Sequence, residues 1–268
     1  MAQELGNFAT NFNRHGQARQ VARHAAKVDR RSGCNSLGRA AITLTRKAGI
    51  LMNLKDYEYY RTDSGVLYHG DCLEIMPHLE PVDLVLTDPP YGMNFRSNHR
   101  EVKHSYIVGD DLLPIDRINM AIKKALAAAY IFCRWDNIYD LPKPKSLLVW
   151  WKNNWSMGDL EHEHGRQWEA VCFYCNGKHK FKKRIPDVLK GIRTGNNYHP
   201  TEKPVGIMTQ LIHANICESV LDPFIGSGTT AIACERLNRR WIGIEIEEKY
   251  CEIAKKRIEQ ERKQLKLF

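Results

Sequence analysis

Apolar positions are sparse up to residue 51 and become regular only from Tyr59 onward. Short β-branched runs then alternate with stretches of helical period, the pattern of strands joined by crossover helices into a parallel sheet. Residues 65–70 read as a strand that stops at Asp71-Cys72, and a short amphipathic helix with Leu73, Ile75, Met76 and Leu79 follows. Residues 82–86 form a continuous apolar run of the kind buried on both faces. Residues 112–128 carry Ile115, Ile118, Ile122 and Leu126 at helical spacing, which predicts one helix, with a strand at 130–133 behind it. Residues 146–151 and 168–175 read as an antiparallel pair at the sheet edge. A strand at 219–221 leads into a glycine turn and a helix to Leu237. Residues 240–245 form the next strand, and a last helix spans about 248–263 with Tyr250, Ile253, Ala254 and Ile258 on one face. Before the apolar helix that bears Ile207, Met208, Leu211 and Ile212, Thr201 is placed as an N-cap and Pro204 falls in the first turn.

The strand at 82–86 runs into Thr87-Asp88-Pro89-Pro90-Tyr91-Gly92. Two prolines cannot donate ladder hydrogen bonds, and they push the preceding residue out of helical conformations. The strand therefore ends in a stiff turn holding one carboxylate, one proline carbonyl and one ring. Such a turn suits a planar group bearing an NH2, with two acceptors for its hydrogens and a ring for its face. An ordinary strand-ending turn has the same local pattern.

Charge divides the chain. Of the net +9, residues 1–51 hold +7 and the remaining 217 residues only +2. A nucleic-acid surface on the main body must then be a local patch rather than a global field. The candidates are two polar, basic stretches, 92–111 and 176–198, each readable as a solvated loop or as a DNA-facing insert. The first 51 residues are open to three readings: a tail on the DNA backbone, a presequence, or an extension with no role, the last being favoured. No charged-then-apolar signal opens the chain, and no apolar run approaches a membrane span. Eight cysteines lie scattered, which fits small buried hydrophobes in a reducing cytoplasm. Cys172 and Cys175 sit in a strand pattern, where positions three apart face opposite sides, so no metal site is expected from them.

The second site candidate is Asp222-Pro223-Phe224-Ile225-Gly226-Ser227-Gly228-Thr229-Thr230, set between a strand and a helix, with Glu245 ending the next strand. Strand, glycine turn, helix, strand and acid is a nucleotide-binding pattern. Position 231 is Ala, so the phosphate fingerprint is incomplete, and no P-loop lysine follows. A carboxylate at 245 suits a ribose diol. The ligand implied is a nucleoside without pyrophosphate, a description S-adenosylmethionine meets; a purely structural turn is the alternative.

An Asp-Pro-Pro-Tyr turn at 88–91, His-Pro-Thr-Glu-Lys-Pro at 199–204 and the glycine turn at 222–230, in that order, resemble the amino-group DNA methyltransferases of the β class, over roughly residues 65–262. The resemblance implies a doubly wound, mostly parallel seven-stranded α/β sheet, Rossmann-like and circularly permuted, with an antiparallel edge hairpin. It implies a methyltransferase domain over 52–268 with double-stranded DNA as partner and no membrane. It is compatible with a homodimer and leaves any restriction partner undefined. It assigns catalysis to Asp88, Pro89, Pro90 and Tyr91. It assigns the cofactor to Asp222, Phe224, Gly226, Ser227, Gly228 and Thr229, to Glu245 for the ribose, to Asp71 and Cys72 by the adenine edge, and to Thr201 and Lys203 by the amino-acid end. In this family Asp at the head of the turn goes mostly with N6-adenine and Ser with N4-cytosine, so adenine is expected. The rivals are an N4-cytosine enzyme, an inactive nucleic-acid-binding relative, and methylation of RNA or a protein amide.

Overall fold

The computed structural model describes residues 53–93, 112–155, 161–162, 164–177, 179–195, 198–199 and 201–266. All fall in the compact unit Leu51–Phe268. The extension 1–51 and nearly all of the 92–111 insert lie outside the described residues.

Among the described residues, nine strands form one sheet. They are β1 (Glu58–Arg61), β2 (Gly65–His69), β3 (Val82–Thr87), β4 (Ala125–Cys133), β5 (Ser146–Trp151), β6 (Trp168–Cys175), β7 (Val188–Lys190), β8 (Ser219–Asp222) and β9 (Arg240–Glu245), in the spatial order β1-β2-β9-β8-β3-β4-β6-β5-β7. The helices are α1 (Cys72–Ile75), α2 (Ile115–Lys124), α3 (Val205–Ala214), α4 (Thr229–Arg236) and α5 (Glu248–Leu265). On β3, Leu84 and Leu86 pack with α3, α4 and α5, while Val85 packs with α1 and α2 on the other face. Both faces are covered, which is why the central strands read as unbroken apolar runs.

The described residues hold nine strands rather than the expected seven, because two short ones extend the sheet. β1 pairs antiparallel with β2 at one edge, and β7 pairs parallel with β5 at the other. The β5–β6 pair is antiparallel as expected, with Ser146 opposite Phe173 and Trp151 opposite Trp168, but β7 lies outside it, so the hairpin is not the edge. Five of the eight strand pairings are parallel.

The helix expected over 112–128 also shortens. It ends at Lys124, and Ala125 already opens β4. Leu126, counted on the helical stripe, is exposed on a strand. An alanine run is neutral between the two periods, and pairing of Ala128 and Ala129 with β3 on one side and β6 on the other decides for strand.

The strand order reverses between β8 and β3. From β3 the chain proceeds through α2 to β4 on one side; from β8 it proceeds through α4 to β9 on the other. The carboxyl ends of β3 and β8 therefore open onto one crevice, the place where open α/β sheets bind ligands.

Candidate active site

The end of β3 is held to the end of β8 by a buried hydrogen bond: Thr87 Oγ1 donates to Asp222 Oδ1 at 2.6 Å. Asp222 also accepts from Thr230 Oγ1 at 2.6 Å and from the Phe224 N–H at 3.1 Å. One carboxylate thus ties together the strand bearing Asp88, the glycine turn and the start of α4. Burial pushes it up to about 6, against these three donors.

Asp88 lies just past β3. Tyr91 Oη donates to its Oδ1 at 2.6 Å, and Lys203 Nζ is ion-paired with its Oδ2. Lys203 is 4% exposed at the side chain. It also lies 3.2 Å from Glu169 Oε2, whose other oxygen is held by Lys152. The Tyr91 hydroxyl is 3.3 Å from the same Glu169 oxygen. Burial raises Asp88 above the usual carboxylate range despite the ammonium beside it, with the Glu169 charge adding to the rise. Glu169 goes the other way: burial opposes its ionisation, but Lys203 and Lys152 together hold it at about 2. Burial, then the Asp88 and Glu169 charges, push Tyr91 up, so its hydroxyl stays a donor.

The neighbouring wall is built from backbone. Gly226 (φ 53°) and Gly228 (φ 87°) take left-handed conformations, and Gly228 is the N-cap of α4. Glu245, at the end of β9, accepts from the Gly226 N–H at 3.0 Å and the Glu247 N–H at 2.8 Å. Burial nevertheless raises it to about 7. Asp71 caps α1 through the Leu73 N–H and takes a two-point bond from Arg117, at 2.7 and 3.2 Å. Burial pushes the Cys72 thiol up to about 12, which leaves it a packing group rather than a nucleophile.

A cavity of about 220 Å³ opens between these walls. Asp71, Cys72, Asp88, Pro89, Pro90, Tyr91, Thr201, Lys203, Asp222, Phe224, Gly226, Ser227, Thr229 and Glu245 all line it. Gly228 does not; it faces α5, where an added Cβ would sit 3.0 Å from the Ala254 Cβ. One other expectation changes. Thr201 is not an N-cap, since α3 begins after Pro204 with no side-chain cap; Thr201 Oγ1 instead bonds His199 Nδ1 at 3.1 Å. Lys203, which lines the same cavity, is buried on Asp88 and Glu169.

The basic insert 176–198 divides in two. Phe181 bridges to Asn215 and the Lys182 N–H bonds the Ala214 carbonyl, which places 179–183 at the amino end of the parallel strands, opposite Asp88. Only after β7, which runs parallel to β5, does the chain return to the end that holds the cavity. Its described cations therefore lie towards two different ends of the sheet.

Several residues here have no motif to announce them. Glu169, Lys152, Arg117 and Arg257 acquire partners only through strand register and helix packing. Arg257, on α5, donates to the Ser227 carbonyl and Oγ at 2.7 Å each and pairs with Glu202 at 2.7 Å.

The sequence model of the DNA methylase family (N6_N4_Mtase) matches residues 139–256, a stretch with the glycine turn and Glu245 but not Asp88. YubD of Escherichia coli (strain K12), named a methylase, is 32% identical over 207 residues, covering 70% of this chain and 88% of YubD. This chain belongs to the DNA methylase family. The Lactococcus lactis subsp. cremoris DNA methylase relative named Type II methyltransferase M2.LlaDCHI is 26% identical, with 81% of this chain and 97% of that protein covered. Among solved structures, the M1.HpyAVI-SAM complex resembles this DNA methylase with a TM-score of 0.56 and 28% identity, over 71% of this chain and 98% of that one.

Proposed function

We propose that this protein is a site-specific DNA methyltransferase that moves a methyl group from S-adenosyl-L-methionine to the exocyclic N6 of an adenine flipped out of double-stranded DNA. The observation that carries this reading is the adjacency at the sheet's reversal point. Asp88 and Pro89 line the same cavity as Gly226 and Glu245.

The cavity fits the cofactor. Glu245 offers a buried carboxylate for a ribose diol, and Phe224, Ile246 and Tyr250 supply apolar surface. Arg257, the cation near the glycine turn that a pyrophosphate would use, is committed to Ser227 and Glu202. When bound, S-adenosylmethionine supplies an electrophilic methyl on a positively charged sulfur, displaced in line by the amine.

The chain's own residues supply orientation and take the proton. An exocyclic amine is a poor nucleophile because its lone pair is delocalised into the ring. Asp88 and the Pro89 carbonyl accept its two hydrogens and favour a pyramidal nitrogen with the lone pair free to attack. Positioning of this kind accounts for much of the rate of a direct displacement. The proton that the methylated amine must lose would pass to Asp88, whose raised pKa suits the role. The amine lies within the base stack of a duplex, so the base must leave it, and Tyr91 lines the cavity as a stacking ring.

Around the site, Trp151 and Trp168 are cross-strand partners, each more than two-fifths exposed, beside Lys152 and Glu169. Exposed aromatics interleaved with cations suit nucleic acid. Asp at position 88 favours adenine through the family resemblance.

The test is sequencing with modified-base detection on DNA from cells expressing the protein. N6-methyladenine at a defined site is expected, and Asp88→Ala should abolish it while cofactor binding survives. N4-methylcytosine would transfer the reading to cytosine. Unmodified DNA with the wild-type protein would overturn it.

A further inference from the structure

Asp88 is asked for two things that its neighbour Lys203 opposes. It must accept hydrogens from the amine strongly, and it must take a proton after transfer. An ammonium on Oδ2 weakens both, because it satisfies the carboxylate's charge before the substrate arrives. The structure contains a second carboxylate that competes for that ammonium. Glu169 Oε2 is 3.2 Å from Lys203 Nζ, and Glu169 is fixed from behind by Lys152 on its other oxygen. The order Lys152–Glu169–Lys203–Asp88 alternates in sign and is charge-neutral as a whole, which makes its burial tolerable.

We propose, building on the methyltransferase reading, that Glu169 is a positioning residue that draws Lys203 away from Asp88 when the amine docks, and so sets how strongly Asp88 accepts. Lys203 needs only a small movement, since it already lies within ion-pair distance of both carboxylates. The movement leaves Lys203 paired throughout and frees Asp88 Oδ2 for the incoming N–H. Glu169, between two ammoniums, stays ionised and keeps its hold. Asp88, released from Lys203, gains proton affinity at the step that needs it. The alkylated nitrogen then gives its proton to Asp88, and Lys203 remains an ammonium, so no proton is created or lost.

The groups facing Asp88 are Tyr91 from its own turn, Lys203 from the segment before α3, Glu169 from β6 with Lys152 behind it, Cys133 from β4 and Asp222 from β8. Within this set, only Glu169 lies at ion-pair distance from Lys203 along with Asp88.

The experiment is a kcat–pH profile of the full chain with duplex DNA, for wild type, Glu169→Gln and Lys152→Met, with cofactor affinity and KM for DNA measured alongside. Glu169→Gln keeps the shape and leaves Lys203 on Asp88. It should lower kcat roughly tenfold or more and move the acid limb down by roughly one unit, with cofactor affinity and KM within about twofold. Lys152→Met frees Glu169 to pull harder on Lys203 and should move the same limb up. Opposite displacements are what a merely structural role would not give. An unchanged kcat in Glu169→Gln, a limb that stays put, or displacements of the same sign would overturn the proposal. Absence of methyl transfer by the wild-type protein would instead overturn the function on which it rests.

Discussion

At the scale of single residues, the site is a set of carboxylates separated by their surroundings. Asp222 spends its acceptor capacity on protein donors and acts as a brace. Glu245 accepts two backbone N–H groups, yet burial holds it at about 7. That value has a consequence for binding. A ribose diol donates to both oxygens of a carboxylate and more strongly than to the single carbonyl oxygen of a carboxylic acid, so cofactor affinity should fall as pH drops below about 7. The limiting slope is about tenfold per pH unit. The sign for folding is opposite. A carboxyl whose folded pKa is raised favours the folded state at low pH, and that contribution is lost as pH rises through about 7. Calorimetric titration of cofactor across this range should show affinity increasing with pH, and Glu245→Gln should bind weakly with a flat profile. A flat wild-type profile would remove Glu245 from the ribose. The residues that carry these arguments differ in how readable they were. Asp88 follows β3 and precedes two prolines, Gly226 lies in the glycine turn after β8, and Glu245 ends β9, so spacing picks them out. Glu169 is one acid at the start of one strand, and only the pairing of Trp150 with Glu169 and the burial of Lys203 bring it to Asp88.

At the scale of elements, the two glycines of the turn have different tasks. Gly226 lines the cavity, and an added Cβ would meet nothing closer than His199 at 3.7 Å. Gly228 combines a left-handed φ with contact on α5. Gly228→Ala should therefore cost about 1–2 kcal/mol, lowering Tm by roughly 2–8 °C. Gly206→Ala makes the opposite prediction. Gly206 is exposed within α3 with no atom within 4 Å of an added Cβ, so alanine should stabilise by about 0.5–1 kcal/mol. Thermal denaturation of the pair separates backbone conformation from packing; similar Tm changes would show that neither argument holds. The elements themselves were legible where an apolar run was long and its breaker unambiguous, as for β3, β6 and β9. They were not where length or composition was neutral. β1 and β7 are too short for a period, and β7 exists through its pairing with β5. The start of β4 is an alanine run whose state is set by its neighbours. Thr201 carries the right residue type for a cap, but the chain turns into α3 only after Pro204.

At the scale of the whole molecule, the cavity is assembled from opposite ends of the described chain. Asp71 and Asp88 precede the long excursion through β4, β6, β5 and β7; Asp222 and Glu245 follow it. No short segment contains the site, so ligand binding must be coupled to the stability of the fold that brings those ends together. Every described residue that lines the cavity lies within the compact unit Leu51–Phe268. Two results follow for a protein cut to residues 52–268. Its kcat for DNA methylation should match that of the full chain. S-adenosylmethionine at a hundredfold excess over Kd should stabilise both proteins by about 2.7 kcal/mol. For a unit of this size that raises Tm by roughly 5–10 °C. Equal increments with equal kcat would place the whole catalytic apparatus in the second unit. A smaller increment in the truncated protein would show that the basic extension reaches the cofactor cleft. An equal increment with a raised KM for DNA would instead assign the extension's charge to the phosphate backbone, and the salt dependence of KM, steeper for the full chain, would confirm that assignment.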